Sequence, residues 1–162
     1  MAKKNPSGTP ATATLAALGI DFTPHPYEHH AGTTSYGVEA ADALGVDTER
    51  VFKTLLADVD GTLVVAVVPV SGQLDLKALA AAVGAKRASM ADPAIAERKT
   101  GYVVGGISPV GQKTRLRTVL DESASSFPSI FVSGGRRGFD IELAPADLVA
   151  VTGGSLAAIS RS

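Results

Sequence analysis

The chain has 162 residues, is 45% hydrophobic and carries a formal net charge of −1, which suits one compact core and excludes a protein held to nucleic acid by its overall field. It contains no cysteine, which excludes disulfides and any thiolate supplied by the protein itself. It has no apolar run of about 18 residues and no apolar segment before Leu15 in "MAKKNPSGTPATA", so a membrane helix and a signal peptide are not expected and a cytoplasmic setting is.

Along the chain, residues 1–8 are small and polar and read as a flexible tail, with a single domain expected over residues 9–160. Thr9 and Pro10 predict an N-cap and first helical position, Leu15 and Leu18 a shared apolar face, and Gly19 a stop. "IDFTPHPYEH" alternates apolar residues but holds two prolines, which confines it to an irregular edge strand. "SYGVEAADALGV" predicts a second helix with Ser35 as cap, Val38, Ala41 and Leu44 on one face, and Gly45 at its end. "VFKTLLADVDGTLVVAVVPV" is two β-rich runs around Asp60-Gly61, the strongest hairpin signal in the chain. Helices are expected after Asp75, after Asp92-Pro93, and in "PADLVAVTGG" around Asp147. The remaining segments, "YVVGGISPVG", "LRTVLDES" and "SIFVSGGRRGFDIEL", read as strands separated by glycine turns. Without regular βαβ alternation, the pattern predicts an α+β domain with a mixed or mostly antiparallel sheet.

One residue interrupts this pattern. Lys53 lies inside "VFKTLL", where alternation sends Val51, Lys53 and Leu55 to one face and Phe52, Thr54 and Leu56 to the other. Either its stem lies along apolar surface with the head in water, or its ammonium faces a cavity, where it meets phosphate, polarises an oxygen or, with a pKa lowered by desolvation, acts in proton transfer. The paired glycines Gly105 and Gly106, followed by Ser108 and Pro109, form either a tight turn or a backbone nest for an anion. "FVSGGRRGFD" gathers Ser133, Gly134, Arg136, Arg137 and Asp140, and Asp140 suits either a ligand amine or an arginine partner. Tyr27 is either a half-buried aromatic or a stacking wall. Lys113, Arg115 and Arg117 form either a phosphate-contact stripe or a solvated face. His25, His29 and His30 lie among prolines without a metalloprotease motif, so no metal site is expected. There is no G-x-S-x-G elbow, and no cofactor is expected.

Taken together, "YEHH", "VFKTLL", "VAVVPVSGQLDLKALA", "MADP", "TGYVVGGISPVGQKTRL" and "IFVSGGRRGFDIEL" resemble, in order and spacing, the YbaK/EbsC family, which also includes the editing domain of bacterial prolyl-tRNA synthetases. The likeness covers nearly the whole chain from Thr9 and is greatest to the free-standing Cys-tRNA(Pro) deacylases. It implies a curved mixed sheet with helices around it, and hydrolysis of the ester joining a wrong amino acid to tRNA(Pro). It implies that the family's essential lysine is Lys53, beside Thr54, and that its pocket tyrosine is Tyr27. Its Gly-Ile-Ser-Pro loop falls on Gly106, Ile107, Ser108 and Pro109; its Ser-Gly turn falls on Ser133 and Gly134, and its aspartate on Asp140. Phe52 stands where a tyrosine is expected and His30 where an aspartate is. In Cys-specific members the substrate thiol attacks its own carbonyl, which implies a pocket without a protein nucleophile. The rivals are an Ala-tRNA(Pro) deacylase using water and a non-catalytic module that binds aminoacyl-adenosine or a protein. The near-neutral charge further suggests that prolyl-tRNA synthetase delivers the tRNA.

Overall fold

The computed structural model describes residues 8–162. The expected tail lies outside the described residues except for Gly8, which is exposed. Helix α1 (Pro10–Ala17) starts where predicted, with the Thr9 hydroxyl accepting from the Thr12 N–H. Leu15 is buried, but Leu18 is already the C-cap residue and stays exposed, so the two do not share a buried face. Strand β1 (Thr23–Pro26) is an edge strand, where its two prolines remove no needed ladder donor. Helix α2 (Tyr36–Leu44) ends at Gly45 in the left-handed region. It buries Ala40 and Ala41, while Val38 turns away from the core and is 43% exposed.

The hairpin forms as predicted. β2 (Phe52–Val59) and β3 (Thr62–Pro69) pair antiparallel, and both turn residues, Asp60 and Gly61, have positive φ (49° and 88°). After β4 (Gln73–Leu74), helix α3 (Leu76–Ala82) is capped by Asp75. β5 (Ala88–Met90) leads to helix α4 (Pro93–Thr100), capped by Asp92 and closed by Gly101.

The expected strand in "YVVGGISPVG" is absent: residues 101–116 form an irregular loop before β6 (Arg117–Asp121). Positive φ at Gly105 and Gly111 breaks the extended path, and the polar groups of the loop are satisfied locally. The Glu97 carboxylate accepts from the Val104 N–H (2.8 Å), the Ser108 hydroxyl accepts from the Val110 N–H (3.2 Å), and the Tyr102 hydroxyl donates to the Val110 carbonyl (2.7 Å). β7 (Ile130–Arg136) and β8 (Phe139–Leu143) form the second hairpin, followed by α5 (Pro145–Thr152). Two short strands not anticipated from sequence, β9 (Ser155–Ala157) and β10 (Ser160–Arg161), end the chain.

The strands make a five-stranded sheet (β5-β2-β3-β6-β9), a three-stranded antiparallel sheet (β1-β8-β7) and the β4–β10 pair. The large sheet is mixed: β3 pairs parallel with β6, and β6 with β9. Both faces are covered, which is why β3 reads as an unbroken apolar run. Val65 and Val67 face α1, α5 and the small sheet, while Val64, Ala66 and Val68 face α3. The two sheets meet at a parallel bridge between Val51 and Phe131, reinforced by the Phe131 N–H donating to the Arg50 carbonyl (2.9 Å).

The chain end is anchored by Asp121, which is buried. One carboxylate oxygen accepts from the Ile159 and Ser160 N–H groups (2.9 and 3.0 Å), and the other from the Ser123 N–H and hydroxyl. Burial alone would raise its pKa, but these hydrogen bonds more than offset it and hold the carboxyl below the usual range. Asp121→Ala strands buried donors, and urea unfolding is expected to show a loss of about 3 kcal/mol. A loss below about 0.5 kcal/mol would mean that the anchor is dispensable.

Candidate active site

From the bridge at Val51 and Phe131 the two sheets part. Two residues further along each strand are Lys53 on β2 and Ser133 on β7, and Ser133 is the cross-strand partner of Asp140 on β8. All three line a cleft of about 470 Å³. The first turn of α2, the start of α4, and Val104, Gly105 and Ile107 of the irregular loop complete its wall. Tyr27, just beyond β1, closes one side, held by its N–H donating to the Gly138 carbonyl (2.9 Å).

The cleft is mostly apolar, with a few polar groups converging in it. Lys53 is half-buried and makes no ion pair among the described residues. Burial pushes its pKa down. Asp140 is 5% exposed and likewise has no ion-pair partner among the described residues, so neither Arg136 nor Arg137 neutralises it. Burial raises its carboxyl to about 7. Burial, and then the nearby charges of Asp140 and Glu39, push the Tyr27 phenol far above its usual value, which keeps it a neutral donor. The Thr54 hydroxyl oxygen is buried in the wall without a hydrogen-bond partner among the described residues, a cost that a bound ligand would remove. Ser133 accepts from the Gly135 N–H (3.2 Å) and faces the cleft.

The structure thus brings together Tyr27, Lys53, Thr54, Gly105, Ile107, Ser133 and Asp140. Gly106, Ser108, Pro109, Gly134 and Arg136 lie behind the wall rather than in it. The Gly106 N–H is committed to the Val103 carbonyl (2.8 Å) and does not form an open nest with Gly105. Its missing side chain lets the loop lie on β7, since a Cβ there would sit 2.7 Å from the Arg136 backbone. Ser108 is fully buried and braces its own loop, and Pro109 is buried beside it. Gly134 makes room for the Phe139 ring and accepts from the Thr9 hydroxyl (2.5 Å). Arg136 stacks over Phe139 (4.5 Å), with one terminal nitrogen buried and without a partner among the described residues.

Gly105 has a different role. At φ +87° it lies directly against Tyr36, and a Cβ there would come within 2.6 Å of the ring. Tyr36, Val38, Met90, Pro93 and Ala96 are wall residues missed from sequence. Val38 has the spacing of a core face, yet it is exposed while Ala40 and Ala41 are buried. Lys113, Arg115 and Arg117 are exposed and outside the wall, so they form a solvated face of the free protein.

The histidines are engaged elsewhere. His25 pairs with Glu142 (2.9 Å) and His29 with Glu39 (2.7 Å), and none of the three lines the cleft. Among the described residues no group of three or more histidine and carboxylate side chains could hold a metal ion, and no helix is long and apolar enough to cross a membrane.

A family profile described as the aminoacyl-tRNA editing domain matches residues 30–151. An Enterococcus faecalis protein, EbsC, described as a candidate Cys-tRNA(Pro)/Cys-tRNA(Cys) deacylase, is 44% identical over 121 residues, covering 74% of each chain. The crystal structure of a candidate trans-editing enzyme for prolyl-tRNA synthetase superposes with a TM-score of 0.82 at 26% identity, over 99% of this chain and 100% of that one. That of a hypothetical protein superposes at 0.85 and 27% identity, over 94% and 100%. The profile match spans the cleft-bearing β2, the irregular loop and β8, and on that evidence this chain belongs to the aminoacyl-tRNA editing domain family.

Proposed function

We propose that this chain is a trans-acting deacylase that removes cysteine wrongly esterified to tRNA(Pro), with residues 9–160 working as one unit in the cytoplasm, where translation supplies the substrate. The observation that carries the reading is a cleft with an ammonium and a buried carboxyl that have no ion-pair partner among the described residues, and in which none of the described hydroxyls is hydrogen-bonded to a histidine, lysine or carboxylate. Thr34, Ser35, Thr54 and Ser133 offer aliphatic hydroxyls, and Tyr27 and Tyr36 phenols, yet no histidine lines the cleft beside them. The protein therefore contributes position and charge, and the nucleophile comes from the substrate.

In this mechanism Lys53 holds the phosphate or sugar end of the terminal adenosine. The Asp140 carboxylate takes the substrate's α-ammonium, and Tyr27, Thr54 and Ser133 orient the ester. Gly105 and Ile107 supply close, uncharged wall. The cysteinyl sulfur attacks its own carbonyl carbon, forming a C–S bond, and the bond to the ribose oxygen breaks. The thiol proton passes to that oxygen, so the products are free tRNA and a four-membered cyclic thioester that water then opens. Gly106, Ser108, Pro109, Gly134 and Arg136 act behind this surface by fixing the loop and β7. The net charge of −1 gives the free protein little long-range hold on RNA, which favours delivery by prolyl-tRNA synthetase.

Three outcomes test this reading. In a deacylation panel, Cys-tRNA(Pro) is expected to react at least about 100-fold faster than Ser-tRNA(Pro), because a hydroxyl is the poorer nucleophile, and Lys53→Ala to lose most of the Cys activity. Equal Cys and Ser rates, or faster Ala-tRNA(Pro) hydrolysis, would point to an activated water, and no turnover of any ester to a binding module. In titrations, affinity for tRNA is expected to rise when prolyl-tRNA synthetase is present; an unchanged value argues against delivery. The third concerns pH. The raised Asp140 pKa stabilises the fold fully below the unfolded value near 3.8, and that contribution is lost as pH rises through about 7. Asp140→Asn, which mimics the protonated form, is therefore expected to be more stable than wild type by about 1–4 kcal/mol above pH 7, equal to it near pH 4, and inactive. A stability difference that does not vary with pH would show that Asp140 titrates normally.

A further inference from the structure

Of the two adjacent arginines in the β7–β8 turn, Arg136 is turned inward over Phe139, and Arg137 is exposed beside the cleft. Two contacts fix Arg137, and a third holds the turn that carries it. Its Nε–H donates to the Val104 carbonyl (2.8 Å), its guanidinium carbon lies 5.1 Å from the centre of the Tyr36 ring, and the turn that carries it is tied to Tyr27 through the Gly138 carbonyl. Val104, Tyr36 and Tyr27 all line the cleft. The two terminal guanidinium nitrogens make no hydrogen bond or ion pair among the described residues. A planar donor fork is thus held at the rim with its stem immobilised and its outer edge free. Such an arrangement suits a phosphate, because little further side-chain entropy is lost on binding. The chain as a whole has no surplus of positive charge, so a fixed local cation is what a polyanion arriving at this cleft would meet first.

We infer that Arg137, braced by Tyr36 and Val104, binds one backbone phosphate of the RNA strand that leads its 3′ end into the cleft. The inference rests on the proposed deacylase function and adds a binding residue to it. Arg137 is a positioning residue: it touches the strand outside the reacting ester and sets how deeply the terminal nucleotide enters.

The test compares two cysteinyl esters that differ in phosphate. One is the ester of adenosine alone; the other is the ester of a CCA trinucleotide, which carries internucleotide phosphates. In Arg137→Gln, the ratio of kcat/KM for the trinucleotide ester to that for the adenosine ester is expected to fall about tenfold, through KM. The slope of log(kcat/KM) against log[salt] for the trinucleotide should flatten by about 0.7, the contribution of one single-strand phosphate. Proportional losses on both esters with an unchanged salt slope would overturn the inference and leave Arg137 as a brace for the Val104–Gly105 loop. No loss on either would overturn it as well. Titration of uncharged CCA trinucleotide into both proteins reads the same contact without turnover. If wild type cleaves neither ester but still binds the trinucleotide about tenfold more tightly than Arg137→Gln, the phosphate site stands and the deacylase reading falls. If the two proteins bind it equally, the phosphate site falls.

Discussion

The site depends on a single junction between two sheets. Val51 and Phe131 are bridged in parallel, and beyond that bridge β2 and β7 diverge. Parallel register at one point fixes what lies opposite what at the next, so Lys53 and Ser133, 80 positions apart in the chain, face the same opening. Ser133 in turn carries Asp140 with it through the β7–β8 ladder. Arg50 clamps the junction from outside: its guanidinium donates to the Ser129 carbonyl and hydroxyl, and Glu142 takes both Arg50 and His25. The cleft is the volume left where paired backbone stops and side chains begin to separate two layers.

That origin explains its electrostatics. A gap between two sheets inherits their apolar faces, so any charged group in it is partly stripped of water. Lys53 and Asp140 respond in opposite directions, the ammonium losing affinity for its proton and the carboxyl gaining it, and burial is the cause in each case. They do not neutralise one another, since no ion pair joins them. A free cleft in this condition is an unfavourable arrangement that a ligand with its own cation and anion would relieve. An aminoacyl nucleotide carries an ammonium at one end and phosphate at the other. In the proposed function the complementarity is therefore to the whole substrate rather than to its side chain.

Local chemistry in the sequence specified much of this. Asp60-Gly61 fixed the hairpin, Thr9, Asp75 and Asp92 fixed helix starts, and the oddity of a lysine in an apolar strand pointed to the cleft. What was not legible depended on distant packing. "VVGGISPVG" has strand-like residues, but its hydrogen bonds go to Glu97, Ser108 and Tyr102 rather than to a ladder, and the first of these partners comes from another element. Val38 fits the apolar spacing of a core face, yet which face of α2 turns inward is decided by Ala40 and Ala41 packing under Val51 and Phe131. Arg136 and Arg137 are indistinguishable as letters; Arg136 is the last residue of β7 and stacks over its cross-strand partner Phe139, while Arg137 lies in the turn and packs on Tyr36 at the rim.

The same geometry bears on selectivity. Phe52, Leu56, Ala96 and Ile107 give the cleft an apolar lining, and an apolar wall separates cysteine, alanine and serine weakly, since one methylene-sized difference is worth about 1–3 kcal/mol. In the proposed function the wall must also spare correctly attached proline, which is larger but not by enough to be excluded from about 470 Å³. A deacylase built around a general base would have to solve this by shape alone. One that relies on the substrate's own thiol does not: proline and alanine enter, align, and have nothing with which to attack. In the proposed function the reliance on the substrate's own thiol is thus the source of selectivity between amino acids, and the tRNA must be distinguished by contacts outside the cleft.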